Sequence, residues 1–205
     1  NKVREVSHAH IVEEIPSHKE KPLSIHGSDR LNTRQRPTIV AIGASTGGPK
    51  ALEQVLKNLP KNLPASILVI QHMPQGFTRS FAERLNSMSE LNVKEAEEGD
   101  VLKDGNVFVA PGDYHLIIDS HKIIRLNQDP PVKFVRPSID VTMLSLPSVY
   151  GCNLIGVILT GMGRDGAEGM AAIKRHGGYT IAQDQSTSVI YSMPRVVHEE
   201  GNADY

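Results

Sequence analysis

An α/β protein with a doubly wound, mostly parallel sheet is what this sequence predicts, on three observations. From residue 37 onward, short runs rich in Ile, Val and Leu recur, and several are apolar throughout. Segments with apolar residues three and four apart alternate with them. Nearly every run ends in a loop containing Gly, Pro, His or Asp. Continuously apolar strands are buried on both faces, and alternation with helices supplies the cover.

The elements follow in order. Thr38–Ala44 is a strand ending in Gly-rich sequence, and Pro49–Leu59 shows helical spacing through Leu52, Val55, Leu56 and Leu59. Ser66–Gln71 is a second strand, and Phe77–Met88 a helix with Phe77, Phe81 and Leu85 four apart. Asn106–Ala110 is a strand. Leu116–Ile118 and Lys122–Leu126 form a hairpin around Asp119–His121. Asp140–Val149 reads as one helix, Asn153–Thr160 as a strand, Gly166–His176 as a helix and Tyr179–Gln183 as a strand. A last helix starts near Met193–Pro194. The result is a Rossmann-like three-layer arrangement plus a β-hairpin, without internal repeats.

Residues 1–36 differ. They hold no aromatic residue, four of the nine His and twelve charged residues. Such a segment buries too little to offset its ordering entropy, and is expected to be a flexible linker with at most a short helix near His10–Glu14. His8, His10, His18 and His26 have no compact metal-site spacing, so no metal is expected. The chain opens on Asn and not Met, which reads as a segment of a longer protein.

Composition narrows the function. The 205 residues carry 22 Lys plus Arg against 23 Asp plus Glu, a net charge of −1. That balance argues against general nucleic-acid binding. One Cys excludes an internal disulfide framework and a Cys-rich zinc site. Cys152, close to a strand start, is expected to be a small buried residue. No run of about 18 apolar residues exists to span a membrane, and no signal peptide is expected. A soluble cytoplasmic protein is expected, and nothing demands more than a monomer.

In such a sheet, ligands bind outside the carboxyl ends of the strands, so the loops there carry the chemistry. The first, Gly43-Ala44-Ser45-Thr46-Gly47, matches G-x-S-x-G between a strand and a helix. That context suits a nucleophilic serine on a sharp turn at a helix start. It equally suits a phosphate-binding turn with an N-cap serine. A nucleophile needs a base, and His72 and His115 both follow strands. His72 ends the strand immediately after the Ser45 unit. The base needs a carboxylate, and Asp165, Asp113 and Asp184 compete. The order Ser…His…Asp differs from that of α/β-hydrolases.

The rival is a dinucleotide-binding protein. Gly161, Gly163 and Gly166 form G-x-G-x-x-G between a strand and a helix, and Asp184 follows the next strand where a ribose-binding acid belongs. Against it, Asp165 stands in the turn that would face a pyrophosphate, where its charge repels. A scaffold domain without catalysis does not explain why Ser, His and Asp gather at strand ends.

Five separated motifs resemble one family. Ile42-Gly43-Ala44-Ser45-Thr46-Gly47-Gly48-Pro49, Gln71-His72-Met73, Ala110-Pro111-Gly112 with His115, Arg136-Pro137-Ser138-Ile139-Asp140 and Leu159-Thr160-Gly161-Met162-Gly163-Arg164-Asp165-Gly166 resemble, in order, the CheB chemotaxis protein-glutamate methylesterases. The resemblance covers residues 37–200. It implies a catalytic domain over residues 37–205 that hydrolyses glutamate γ-methyl esters on the cytoplasmic helical region of chemoreceptors, and deamidates certain glutamines, without a cofactor. It implies Ser45 as nucleophile, His72 as base, Asp165 as the orienting acid, and Thr46 and Met162 at the oxyanion site. Met162 would serve through its backbone N–H, since a thioether donates no hydrogen bond. The family's receiver domain, phosphorylated by the chemotaxis kinase, is not among these residues, and the family's last strand and helix are expected beyond Tyr205. Arg136 and Arg164 are placed either to meet the receptor or to serve as ion-pair partners.

Overall fold

A computed structural model describes residues 39–205. Six strands form one sheet in the order β3-β4-β2-β1-β7-β8, with every neighbouring pair parallel. They are β1 (Ile39–Ala44), β2 (Ser66–Gln71), β3 (Asn92–Glu95), β4 (Asn106–Val109), β7 (Leu154–Ile158) and β8 (Tyr179–Ala182). A separate antiparallel hairpin is made by β5 (His115–Ile118) and β6 (Ile124–Asn127), as expected.

Alternation along the strands sorts side chains into two cores. Ile39 and Ala41 of β1, Leu68 and Ile70 of β2, and Phe108 of β4 face one side. Ile42 and Ala44, Ile67 and Val69, and Val107 and Val109 face the other. The second side is covered by α1 (Gly48–Leu56) and α2 (Phe77–Met88), which bury Leu52, Leu56, Phe81 and Leu85. The first side is covered by the hairpin and by α3 (Ile139–Ser145), α4 (Pro147–Tyr150), α5 (Ala167–Arg175) and α6 (Ser192–Glu199), through Leu116, Ile124, Met143, Met170, Ile173 and Val197.

Three expectations are corrected. The helix over Asp140–Val149 is two helices, because Pro147 has no N–H to continue the ladder and starts α4 instead. Strand β3 has no counterpart in the sequence reading: Asn-Val-Lys-Glu is polar, and only Val93 is buried on this sheet edge. Cys152 is exposed, since it sits in the turn before β7 and not in the strand. The linker, its His residues and the short helix near His10–Glu14 lie outside the described residues. At the other edge of the sheet, Tyr205 N–H donates to Thr180 O and Ala182 N–H to Tyr205 O, so the final residues pair with β8.

The chain steps from β1 to β2 in one direction and later returns to place β7 on the other side of β1. The topological switch point therefore lies between β1 and β7, where ligand sites form in open α/β sheets.

Candidate active site

Ser45, His72 and the loop carrying Asp165 leave the carboxyl ends of β1, β2 and β7, three neighbouring strands. Register places them together. Ala44 pairs with Gln71, so Ser45 and His72 are the next residues after adjacent strands. Pairing continues past the strands: His72 N–H donates to Ala44 O at 3.1 Å, and Ser45 N–H to Thr160 O at 3.0 Å. Ser45 and His72 line a cleft of about 450 Å³ whose other walls include Thr46, Pro49, Met73 and Phe77. The cleft opens at the start of α1, whose dipole favours developing negative charge.

His72 Nε2 lies 2.8 Å from Asp165 Oδ2, with the imidazole 12% and the carboxylate 4% exposed. The same carboxylate accepts from Ile139 N–H at 2.7 Å, Asp140 N–H at 3.1 Å and Ser138 Oγ at 2.8 Å. Four donors thus meet its four lone-pair positions. Burial alone would raise the Asp165 carboxyl, but the bonds from His72, Ile139 and Asp140 prevail and hold it below its ordinary value of 3.8. Asp165 therefore stays ionised beside His72, which gives the Nε2–H tautomer a fixed acceptor and leaves Nδ1 free to accept a proton.

The competing candidates fall elsewhere. His115 is 1% exposed; its Nδ1 accepts from Ser138 N–H at 3.1 Å and its Nε2 meets Pro130 O at 3.3 Å. Both nitrogens are thus spent holding the segment that presents Ser138. Asp113 pairs with Arg136, which also donates to Gln128 O and Asp129 O. Arg164 pairs with Glu200 at 3.0 Å. For both arginines the ion-pair reading is the one the structure supports. Asp184 accepts from Ser186 and Thr187 of its own loop, whose hydroxyls and N–H groups lower it to about 2. The dinucleotide alternative is set aside: Asp184 is committed to its own turn, and Asp165 is bound to His72 and to the start of α3.

Thr46 is exposed beside Ser45, and Met162 is 75% exposed. Their loops touch. Thr160 Oγ1 donates to Thr46 O at 2.9 Å, and a methyl group on Gly161 would stand 2.9 Å from Ser45 Cβ.

Sequence reasoning missed two supports. Ser138 was legible as part of Arg-Pro-Ser-Ile-Asp before a helix, an N-cap signal, and it does cap α3 by accepting from Val141 N–H. Its second role, donating to Asp165, has no local signal. Gln71 closes a strand and is buried; its Nε2 donates to Ser45 O and His72 O, each at 3.0 Å. It ties the two loops together from below.

Comparison with known proteins places this geometry. A family model described as CheB methylesterase matches residues 40–205. The chain is 55% identical over 175 residues to the protein-glutamate methylesterase/protein-glutamine glutaminase of Symbiobacterium thermophilum, covering 85% of this chain and 47% of that protein. It is 52% identical over 169 residues to the protein of the same description from Pyrococcus abyssi, covering 81% and 46%. The crystal structure of the Thermotoga maritima CheB methylesterase catalytic domain superposes with a TM-score of 0.81 at 48% identity, covering 83% of this chain and 92% of that one. The chain spans about half the length of the curated relatives it matches.

Proposed function

The chain belongs to the CheB methylesterase family, and from that premise we propose that it is a serine esterase hydrolysing glutamate γ-methyl esters on chemoreceptors, with glutamine deamidation as a second activity. The observation that carries the reading is the His72 Nε2–Asp165 Oδ2 bond at 2.8 Å, at the strand end beside Ser45.

Ser45 Oγ attacks the ester carbonyl while His72 accepts its proton. With Nε2 held by Asp165, the accepting nitrogen is Nδ1. The tetrahedral oxyanion is met by backbone N–H groups of Thr46 and Met162, on the two loops that converge at Ser45. Protonated His72 is stabilised by ionised Asp165 and gives its proton to the departing methoxide, releasing methanol. Water, deprotonated by His72, then cleaves the acyl-enzyme to return Ser45 and leave an unesterified glutamate side chain on the receptor. In deamidation the same steps release ammonia. Every group required lies on this chain, so the mechanism calls on no metal or cofactor. The substrate side chain enters the cleft from the cytoplasmic helical part of a receptor. Residues 1–36 act as a tether to a receiver domain that the chemotaxis kinase phosphorylates. The domain works as a monomer in the cytoplasm.

The test is methanol release from methylated receptor. Ser45→Ala is expected to abolish it with an unchanged circular dichroism spectrum. Retention of more than about a hundredth of the wild-type rate would remove Ser45 from the nucleophile role, since triad nucleophiles contribute far more than that. Stoichiometric, micromolar binding of NAD or NADP in a calorimetric titration would restore the dinucleotide reading.

A further inference from the structure

Two helices start side by side behind His72, and each start is held by an acid from the other. The first N–H groups of α3, those of Ile139 and Asp140, donate to Asp165, which lies just before α5. In return, Gly169 N–H in the first turn of α5 donates to Asp140 Oδ1 at 2.8 Å. Both carboxylates are buried, at 4% and 3% exposure. Helix starts have N–H groups without helical acceptors, and a carboxylate is their natural partner. Here that partnership is reciprocal, so Asp165 cannot shift without disturbing α3, nor α3 without disturbing α5.

Two buried like charges this close oppose each other. One cation meets them on the Asp140 side. Lys133 Nζ lies 2.5 Å from Asp140 Oδ2 and 2.9 Å from Glu168 Oε1. Burial and the charge of Asp165 raise the Asp140 carboxyl, while Lys133 and Gly169 oppose the rise. The turn that supplies Lys133 is itself unusual. Val132 and Val135 exchange backbone hydrogen bonds at 3.1 and 3.0 Å, and the two residues between them, Lys133 and Phe134, have φ of 50° and 67°. Such hairpin turns ordinarily take Asn or Gly at these positions, and strained backbone persists only where its surroundings hold it. From this turn Lys133 makes both of its ion contacts.

We propose that Asp140 and Lys133 are positioning residues for the esterase: Asp140 fixes the α3 donors on which Asp165 rests, and Lys133 cancels the Asp140 charge so that His72 faces one uncompensated carboxylate. The proposal rests on the triad reading above. Neither residue touches substrate. Loss of Lys133 leaves Asp140 to take up a proton or to repel Asp165, and either outcome loosens the seat of Asp165 and the orientation of His72.

The experiment uses the full chain in Asp140→Asn, Lys133→Met and Lys133→Arg forms, with two readouts. The first is methanol release from methylated receptor, resolved into kcat and KM. The second needs no substrate: the proton NMR resonance of the His72 Nε2–H held by Asp165, assigned by its loss in His72→Gln. Support acting through another residue is worth about 10- to 100-fold where it has been measured at metal sites. We therefore expect kcat to fall by about that factor in Asp140→Asn and by about 10-fold in Lys133→Met. KM should be unchanged, the His72 resonance should be shifted or broadened in both, and Lys133→Arg should restore rate and resonance. An unchanged resonance and kcat in folded Asp140→Asn would overturn the proposal, as would a Lys133→Arg variant as impaired as Lys133→Met. If Asp140→Asn does not fold, the two Lys133 variants decide alone. Failure of the triad reading looks different: Ser45→Ala would then keep its activity, whatever the His72 resonance does.

Discussion

Two glycine-rich loops stand side by side at the reversal point of the sheet, and they use the same sequence grammar to opposite ends. Residues 45–47 follow β1 and residues 161–166 follow β7; each leads through a glycine of positive φ into a helix. The first leaves Ser45 on the wall of an open cleft. The second turns Asp165 inward to 4% exposure. The cause lies outside both loops. The start of α1 faces the cleft, whereas the start of α5 is met by α3, whose N–H groups and Ser138 hydroxyl draw the carboxylate in. A strand–glycine–helix pattern says that a polar side chain stands at a ligand-binding edge. It does not say which way that side chain points.

The sharpest test of this contrast removes the polar atom from each loop. Ser45→Ala deletes the reacting oxygen and should leave no measurable turnover. Asp165→Asn keeps size and most of its contacts but withdraws the charge and favours the wrong imidazole tautomer. In an unrelated triad that change costs on the order of 10⁴ in kcat, and a comparable loss is expected here, still above that of Ser45→Ala in residual rate. An unchanged rate in Asp165→Asn would detach the second loop from catalysis. Neither Asp113 nor Asp184 is placed to replace it, since each is bound to other groups.

A smaller effect is expected where the loops touch. Gly161 is needed for close approach: an added methyl would press on the Met193 sulfur and stand 2.9 Å from Ser45 Cβ. Overpacking of this kind costs about 1–3 kcal/mol. Displacement of a reacting group by about 1 Å costs about 10²-fold in rate. Gly161→Ala should therefore lower both the melting temperature and kcat; a Met193→Ala second change, which empties part of the core, should recover part of kcat while leaving the melting temperature low. A variant destabilised but fully active would show that the second loop does not set the position of Ser45.

Much of this was legible before any coordinates. Strands β1, β2, β4 and β7 are apolar enough to announce themselves; the rule that ligands sit at their carboxyl ends narrowed the site to Ser45, His72 or His115, and Asp165, Asp113 or Asp184, and the family motifs chose among them. Three things were not legible. Strand β3 pairs by its backbone with β4 while its side chains stay polar, so composition hides it. Choosing Asp165 over Asp113 depended on contacts with residues 23 to 93 positions away, which no local pattern encodes, whereas Asp184 is taken up by its own turn. Gln71 looks like one more strand residue until its amide is seen bridging the carbonyls of Ser45 and His72. Local propensity specified the elements; long-range hydrogen bonding specified which loop residue faces which.

The smallest expected effect comes from the same loop two residues further on. Gly163 has φ of 97°, and a methyl group built there meets nothing within 4 Å. It therefore separates backbone strain from contact, which Gly161 does not. An L-residue held at positive φ costs roughly 1–2 kcal/mol, and no packing penalty adds to it. For a protein of this size about 1 kcal/mol shifts the midpoint by about 2–4 °C, so Gly163→Ala should melt several degrees below the wild type. Its turnover well below that midpoint should stay within about threefold, because Asp165 is held by four donors from outside its own loop and does not rely on the turn to place it. Thermal melts and initial rates on Gly161→Ala and Gly163→Ala, measured side by side, check this directly. If Gly163→Ala loses as much rate as Gly161→Ala, the turn itself sets the site, through Asp165 or through the neighbouring Met162 N–H, and the contrast between the two loops would have to be drawn from their backbones alone.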